Sequence, residues 1–332
     1  MDPEHPVSSE ASYPCFVADV GGTNARFGWI ASHGAAITRV HTLPAREHEG
    51  PSDAARAWLG RIGAGSSLPA PRRAALAVAS AVTGDRIAFA NSHWAFSRSE
   101  LQSALGLSQL RVLNDFEALA LSLPRLGPTQ IRAHGPLPRH EGTLAVVGPG
   151  TGLGVAGLVQ ARSGWTALPG EGGHATIAPG DDFEDELLRA VRRTHEHVSA
   201  ERLLSGIGLP VLHAAVRSVR GLPAREATPE EIVRGALEGS DEACATTVDT
   251  FCAMLGGFCG NVALTLGARS GVFIGGGIVP RLGERFFASR FRERFEAKGR
   301  LRNYLREIPT ALITDTLVAL GGAQAALEEQ DA

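Results

Sequence analysis

Cys15-Phe-Val-Ala-Asp-Val-Gly-Gly-Thr-Asn-Ala-Arg-Phe-Gly-Trp29 is the stretch that decides the fold class of this chain. An apolar run from Phe16 to Val20 carries one acid, Asp19, and its pattern predicts a strand. Gly21-Gly22-Thr23-Asn24 breaks it, and Arg26 to Ile30 resumes as a second strand. Two glycines let the backbone turn tightly and expose its N–H groups. The Thr23 hydroxyl and Asn24 amide can join them as donors in a small anion nest, with Asp19 placed to hold Mg²⁺ through water. The same residues also describe an ordinary hairpin, so the rest of the chain must choose between a phosphate turn and a structural one.

The bounds are permissive. At 332 residues and 44% hydrophobic content, one or two domains with sizeable cores are expected. A net charge of -3 offers no general attraction to nucleic acid or to an anionic membrane. Residues 1–14 read as an unstructured tail. Met1 to Tyr13 lacks the basic and apolar regions of a signal peptide, and no run of about 18 uncharged apolar residues is present to span a membrane. Cys15, Cys244, Cys252 and Cys259 have no CxxC pairing and fall in apolar patterns, which suits buried, reduced thiols in a cytoplasmic protein. Lys298 is the only lysine, and Gly299 follows it. Neither a P-loop nor the strand lysine of a protein kinase can be built from it. Nucleotide handling would rest on backbone amides, Thr, Asn and a metal.

Strand and helix patterns alternate along the chain, which predicts an α/β fold. Ala36 to Thr42 continues the first hairpin, and Ser52 to Ile62 has helical spacing. Ala74 to Ala79 and Leu110 to Leu113 read as buried strands. Arg98 to Leu105 is a predicted helix with Ser97 as its N-cap, and Phe116 to Leu123 is another. The opening pattern then recurs. Thr143 to Gly148 is an apolar strand, Pro149-Gly-Thr-Gly-Leu-Gly154 a glycine turn, and Val155 to Gln160 a strand again. Two related halves, each beginning with a hairpin, are expected. A third glycine turn, Gly275-Gly276-Gly277, follows the strand Gly271 to Ile274 and leads to a helix from about Arg281. Asp241 to Gly267 is a long helical pattern. Gly152 to Gly157 is formally GxGxxG, but a dinucleotide site needs a helix there and the residues read as a strand.

Three further places hold candidate chemistry. Asp115 ends a strand, where a carboxylate can accept a proton from a hydroxyl attacking phosphorus, although Asn-Asp at such a junction also serves as a helix cap. Leu168-Pro-Gly-Glu171-Gly-Gly-His174 is too glycine-rich for a helix and reads as a loop, on the surface or folded around a polar ligand such as a sugar. His195-Glu-His197 with Glu201 has metal-ligand residue types but no recognisable companion. A solvated surface, or Glu201 alone facing a ligand, are the other readings, with a helix expected after Ser199.

Taken together, DVGGTNAR (from Asp19), LNDFEA (from Leu113), GPGTGLG (from Gly148), LPGEGGH (from Leu168), SAERLLSG (from Ser199) and GGGIVPR (from Gly275) resemble the bacterial ATP-dependent glucokinases, in the group without the ROK cysteine motif. The resemblance runs from about Phe16 to Leu327. It implies a two-domain actin-like ATPase fold, of hexokinase type and ribonuclease H-like, with an interdomain cleft. The expected small domain is residues 15–125 with 315–332, and the large domain is 126–314. It implies glucose phosphorylation at the 6-hydroxyl by ATP and Mg²⁺, the first step of glycolysis.

By the same resemblance Asp115 is the general base, and Asn91, Asn114, Glu171, His174 and Glu201 bind sugar hydroxyls. Ala18, Asp19, Val20, Gly21, Gly22, Thr23 and Asn24 form the first phosphate loop, Thr151 and Gly152 the second, and Gly276 and Gly277 approach the nucleotide. A homodimer is implied. Two positions depart from the pattern: Ala81 replaces a frequent proline, and the middle of Asn91-Ser-His-Trp94 is changed. A kinase of the same fold for another hexose is the near alternative. A non-catalytic sugar-sensing regulator is the distant one, since about fifteen residues before the first strand are too few for a helix-turn-helix.

Overall fold

The computed structural model describes residues 12–65, 68–89, 92–162 and 164–329. The chain forms two compact units, Met1–Arg125 with Thr316–Ala332, and Leu126–Asp315.

The first unit contains β1 (Cys15–Val20), β2 (Asn24–Ile30), β3 (Thr38–Pro44), β4 (Arg73–Val78), a small pair β5 (Arg86–Ala88) and β6 (Ala95–Ser97), and β7 (Gln109–Asn114). Its main sheet has the order β3-β2-β1-β4-β7. β1 and β2 form the expected antiparallel hairpin, while β1, β4 and β7 run parallel. Alternation along β1 sends Phe16, Ala18 and Val20 into a core with Phe27, Trp29 and Trp58 of helix Pro51–Gly63. Trp58 stacks on Phe27 with centroids 5.4 Å apart, and its indole N–H donates to the Arg39 carbonyl. Asp19 falls on the opposite face. There the C-terminal helix Val318–Glu328 packs against helix Asp115–Ser122, with Gly322 directly on the Ala118 carbonyl.

The second unit repeats the plan with β8 (Ile131–Ala133), β9 (Leu144–Pro149), β10 (Leu153–Ala161), β11 (Gly164–Gly170), β12 (Gly271–Ile274) and β13 (Thr310–Ile313), in the order β11-β10-β9-β12-β13-β8. Two antiparallel steps are again followed by two parallel ones, as in the first sheet. β10 as a strand excludes a dinucleotide helix at Gly152–Gly157. Helix Glu242–Leu266 is apolar all round because it runs through the core of this unit. Asp241 caps its start, accepting from the Ala243 and Cys244 N–H groups, and Gly267 ends it in a left-handed conformation.

Three local expectations change. The chain after Ser199 is a series of turns up to the helix Leu209–Val219. Ser199 Oγ does accept from the Arg202 N–H, but Ser199 also bridges to Thr176 and Gly206 and Gly208 interrupt any helix. Gly172–His174 is a single 3-10 turn that follows β11. The third glycine turn leads to a helix of four residues, Val279–Leu282, stopped by Gly283 at φ 53°.

Candidate active site

In the first unit the site is built at the C-terminal ends of three parallel strands, where α/β sheets bind ligands. Val20, Val78 and Asn114 lie in register there. The Gly21 N–H donates to the Asn24 carbonyl at 2.9 Å, the Ala79 N–H to Val20 and the Ala45 N–H to Thr23, so the turn is held from three sides. Asp19 pairs with Arg26 across the hairpin at 3.4 Å, and Arg26 also donates to the Thr316 carbonyl at 2.8 Å. Burial raises the Asp19 carboxyl above its ordinary range, with Arg26 pulling the other way.

At the Asn114–Asp115 junction the helix cap is visible. Asn114 is the cap: its Oδ1 accepts from the Phe116 N–H at 2.9 Å and the Glu117 N–H at 3.4 Å, and its Nδ2 donates to the Ser80 carbonyl. Asp115 shares the first of these donors, its Oδ1 accepting from the Phe116 N–H at 2.9 Å. Burial pushes its carboxyl up to about 6, opposed by the Phe116 N–H and helped by the negative charge of Asp19. Such a group is poised to exchange a proton near neutral pH.

In the second unit the glycine turn after β9 is tied by Gly150 N–H to Gly152 O, and by the Gly206 and Ile207 N–H groups to Gly150 and Thr151. The turn after β12 lies against it. Gly276 has φ 76°, a side chain there would collide with the Pro149 carbonyl, and the Ile278 N–H donates to that carbonyl at 3.2 Å. Glu201 closes the other side. Its Oε2 abuts Gly152 and accepts from the Leu153 N–H at 2.9 Å. His174 Nε2 lies 3.9 Å from Glu201 and 3.8 Å from Glu171, so the loop Leu168–His174 and the segment after Ser199 meet in one acidic-imidazole cluster.

The expected residues thus fall into one group per unit: Ala18 to Asn24 with Asn114 and Asp115, and Thr151, Gly152, Glu171, His174, Glu201, Gly276 and Gly277. Asn91 lies outside the described residues. Among the described residues no His, Cys, Asp or Glu cluster could hold a metal by itself, and His195 and His197 instead contact Thr194 and Thr176. A further feature went unread in the sequence. A cavity of about 330 Å³ beside the Gly276–Gly277 turn is lined by Leu209, Pro229, Val233, Ile278 and Arg281. Only Ile278 and Arg281 carried a signal, as the end of the GGGIVPR run; the other walls come from helices far away in sequence.

The glucokinase family model matches residues 16–330. The glucokinase of Aromatoleum aromaticum is 46% identical over 324 residues, covering 97% of both chains. That of Neisseria meningitidis is 43% identical over 322 residues, again 97% of both. The crystal structure of a glucokinase from an Antarctic psychrotroph superposes with a TM-score of 0.87 at 38% identity, covering 95% of this chain and 98% of that one.

Proposed function

The chain belongs to the glucokinase family and is an ATP-dependent glucose kinase of the two-domain actin-like fold; we propose that Asp115 is its general base. Asp115 takes the proton of the glucose 6-hydroxyl as that oxygen attacks the γ-phosphorus of ATP. The bond from phosphorus to the bridging oxygen breaks, leaving ADP and glucose 6-phosphate. The observation that carries this assignment is the place of Asp115 just past the C-terminal end of β7, where burial raises its carboxyl to about 6. Asn114, Glu171, His174 and Glu201 take the remaining hydroxyls. Asn91, carried only by the resemblance, is assigned with them.

The nests at Ala18–Asn24 and at Thr151–Gly152, with Gly276 and Gly277, receive the phosphates. The cavity lined by Leu209, Val233 and Ile278 suits the flat apolar face of adenine. Asp19 fits a water-mediated Mg²⁺. Its partly buried carboxylate has one long ion pair, and a cation would relieve both its burial and its repulsion of Asp115. Mg²⁺, when bound, neutralises charge on the phosphates. The rest of the work is positioning by backbone N–H groups, which this chain needs in the absence of a P-loop lysine. All four cysteines are buried, in keeping with a reducing cytoplasm, and a homodimer is the assembly proposed.

Formation of glucose 6-phosphate from glucose and ATP, with and without Mg²⁺, tests the scheme when run beside Asp115→Asn. Product from the wild type and virtually none from the variant is the expected result. Near-normal turnover by Asp115→Asn removes the base.

A further inference from the structure

Another cavity of the second unit plays no part in this scheme. It has a volume of about 470 Å³ and lies between β10, β11 and the C-terminal half of helix Glu242–Leu266. Leu168, Ile177, Phe258 and Val262 give it an apolar wall. The only lysine of the chain, Lys298, stands in it. Lys298 Nζ donates to the Gly257 carbonyl at 2.8 Å and to Asn261 Oδ1 at 2.6 Å, both neutral acceptors, and has a third proton to give. Among the described residues no carboxylate pairs with it. Arg294, the other cation of the cavity, is already held by Asp181 and Glu184 at 3.0 and 2.8 Å. Burial draws the Lys298 ammonium below the usual lysine range, with Arg294 adding to the effect, as expected of a cation lacking its counter-charge.

We propose that this cavity binds a small amphipathic organic anion, its acid group on Lys298 Nζ and its apolar body against Leu168, Ile177, Phe258 and Val262. The volume is that of ordinary small-molecule sites, and an apolar wall with one charged anchor is their usual chemistry. The site has a route to the reaction. Gly170, Gly172, Ala175 and Thr176 form part of its wall and flank Glu171 and His174. A bound anion would therefore bias the loop assigned to sugar binding; this consequence, unlike the site, rests on that assignment.

The test uses 1-anilinonaphthalene-8-sulfonate as the anionic probe and N-phenyl-1-naphthylamine as its neutral counterpart, titrated by fluorescence into the folded enzyme. Saturable binding of the anion is expected, weakened about tenfold in Lys298→Gln, with the neutral probe unchanged. Thr265→Trp, at an exposed rim position, should block both probes without lowering the melting temperature. Equal loss of both probes in Lys298→Gln, or no saturable binding by the wild type, overturns the proposal. So does a change from dimer to monomer in Thr265→Trp on size exclusion, because the cavity would then be a subunit contact. If the anion binds as expected but leaves glucose KM unchanged, the site stands and its coupling to sugar binding is overturned.

Discussion

Asp19 and Asp115 stand at the same end of one sheet, at the C-termini of β1 and β7 with β4 between them, and the charge of Asp19 helps hold the proton on Asp115. β1 supplies its acid next to a glycine turn that can receive phosphate, and β7 supplies its acid at the start of a helix. The carboxylate proposed for the metal and the one proposed as general base are thus set at one end of the sheet by parallel pairing. Asn114 makes the main cap of that helix, accepting from both the Phe116 and Glu117 N–H groups.

The first prediction concerns pH. A base acts when deprotonated, and Asp115 carries a carboxyl raised to about 6. In the free enzyme kcat/KM should therefore fall tenfold per unit on the acid side, with a midpoint near pH 6. A cation at Asp19 would move that midpoint down, so raising Mg²⁺ should shift the limb to lower pH. A limb near pH 4 at low Mg²⁺ would remove burial as the cause.

Asp115→Asn should lower kcat by at least about a hundredfold while glucose still binds, measured by intrinsic fluorescence or calorimetry. Its stability should move the other way. A carboxyl whose folded pKa is raised is penalised above that value, and the penalty vanishes below the unfolded value of 3.8. At pH 7.5 the variant should melt higher than wild type, by roughly 2–4 °C if about 1 kcal/mol of the penalty survives solvent screening. At pH 4 the difference should close.

The hairpins and parallel strands were legible because buried strands are short apolar runs punctuated by glycine turns: Phe16 to Val20 and Thr143 to Gly148 announce both sheets. Ser97 announces its helix through a side-chain cap, which is local chemistry. The segment after Ser199 was not legible, because its bridge to Thr176 and its contact with the Gly150 turn are long-range and override a local cap. The same holds for Glu201. Its residue type marked it as polar, but its place against Gly152 and the Leu153 N–H depends on a loop 48 residues away. The cavity beside Gly276 is assembled from three separate helices, and no periodicity in any of them points to it.

Glu201 separates two roles that a single substitution can distinguish. Its carboxylate accepts from the Leu153 N–H beside the phosphate turn and also faces His174. Glu201→Gln keeps an acceptor for that N–H, so it should raise glucose KM about tenfold with ATP KM within twofold. Glu201→Ala leaves the N–H unpartnered, costing about 1–3 kcal/mol, and should raise both constants. Equal ATP constants in the two variants would show that the Leu153 contact does not support the turn.

Gly276 should tolerate no side chain. Its φ of 76° disfavours any other residue, and a methyl group would meet the Pro149 carbonyl, which the Ile278 N–H also uses. Gly276→Ala should weaken ATP binding at least tenfold, read by calorimetry with a non-hydrolysed ATP analogue, while glucose binding stays within twofold. An unchanged nucleotide affinity would detach this turn from the phosphate site.

Two adjacent glycines of the C-terminal helix give the last prediction, because their environments are opposite. A methyl at Gly321 meets nothing within 4 Å, whereas one at Gly322 would drive into the Ala118 carbonyl of the helix that begins at Asp115. Replacing a helical glycine with alanine stabilises by about 1 kcal/mol where there is room. Gly321→Ala should therefore raise the melting temperature and leave kcat alone. Gly322→Ala must push the two helices apart, at a cost of about 1–3 kcal/mol, and Asp115 moves with the first turn of its helix. A displacement of that kind misplaces the base, so kcat should fall more than glucose KM rises. Thermal melts and steady-state kinetics on the pair read both effects. Similar shifts in the two variants would mean that the helix crossing at Gly322 does not position Asp115.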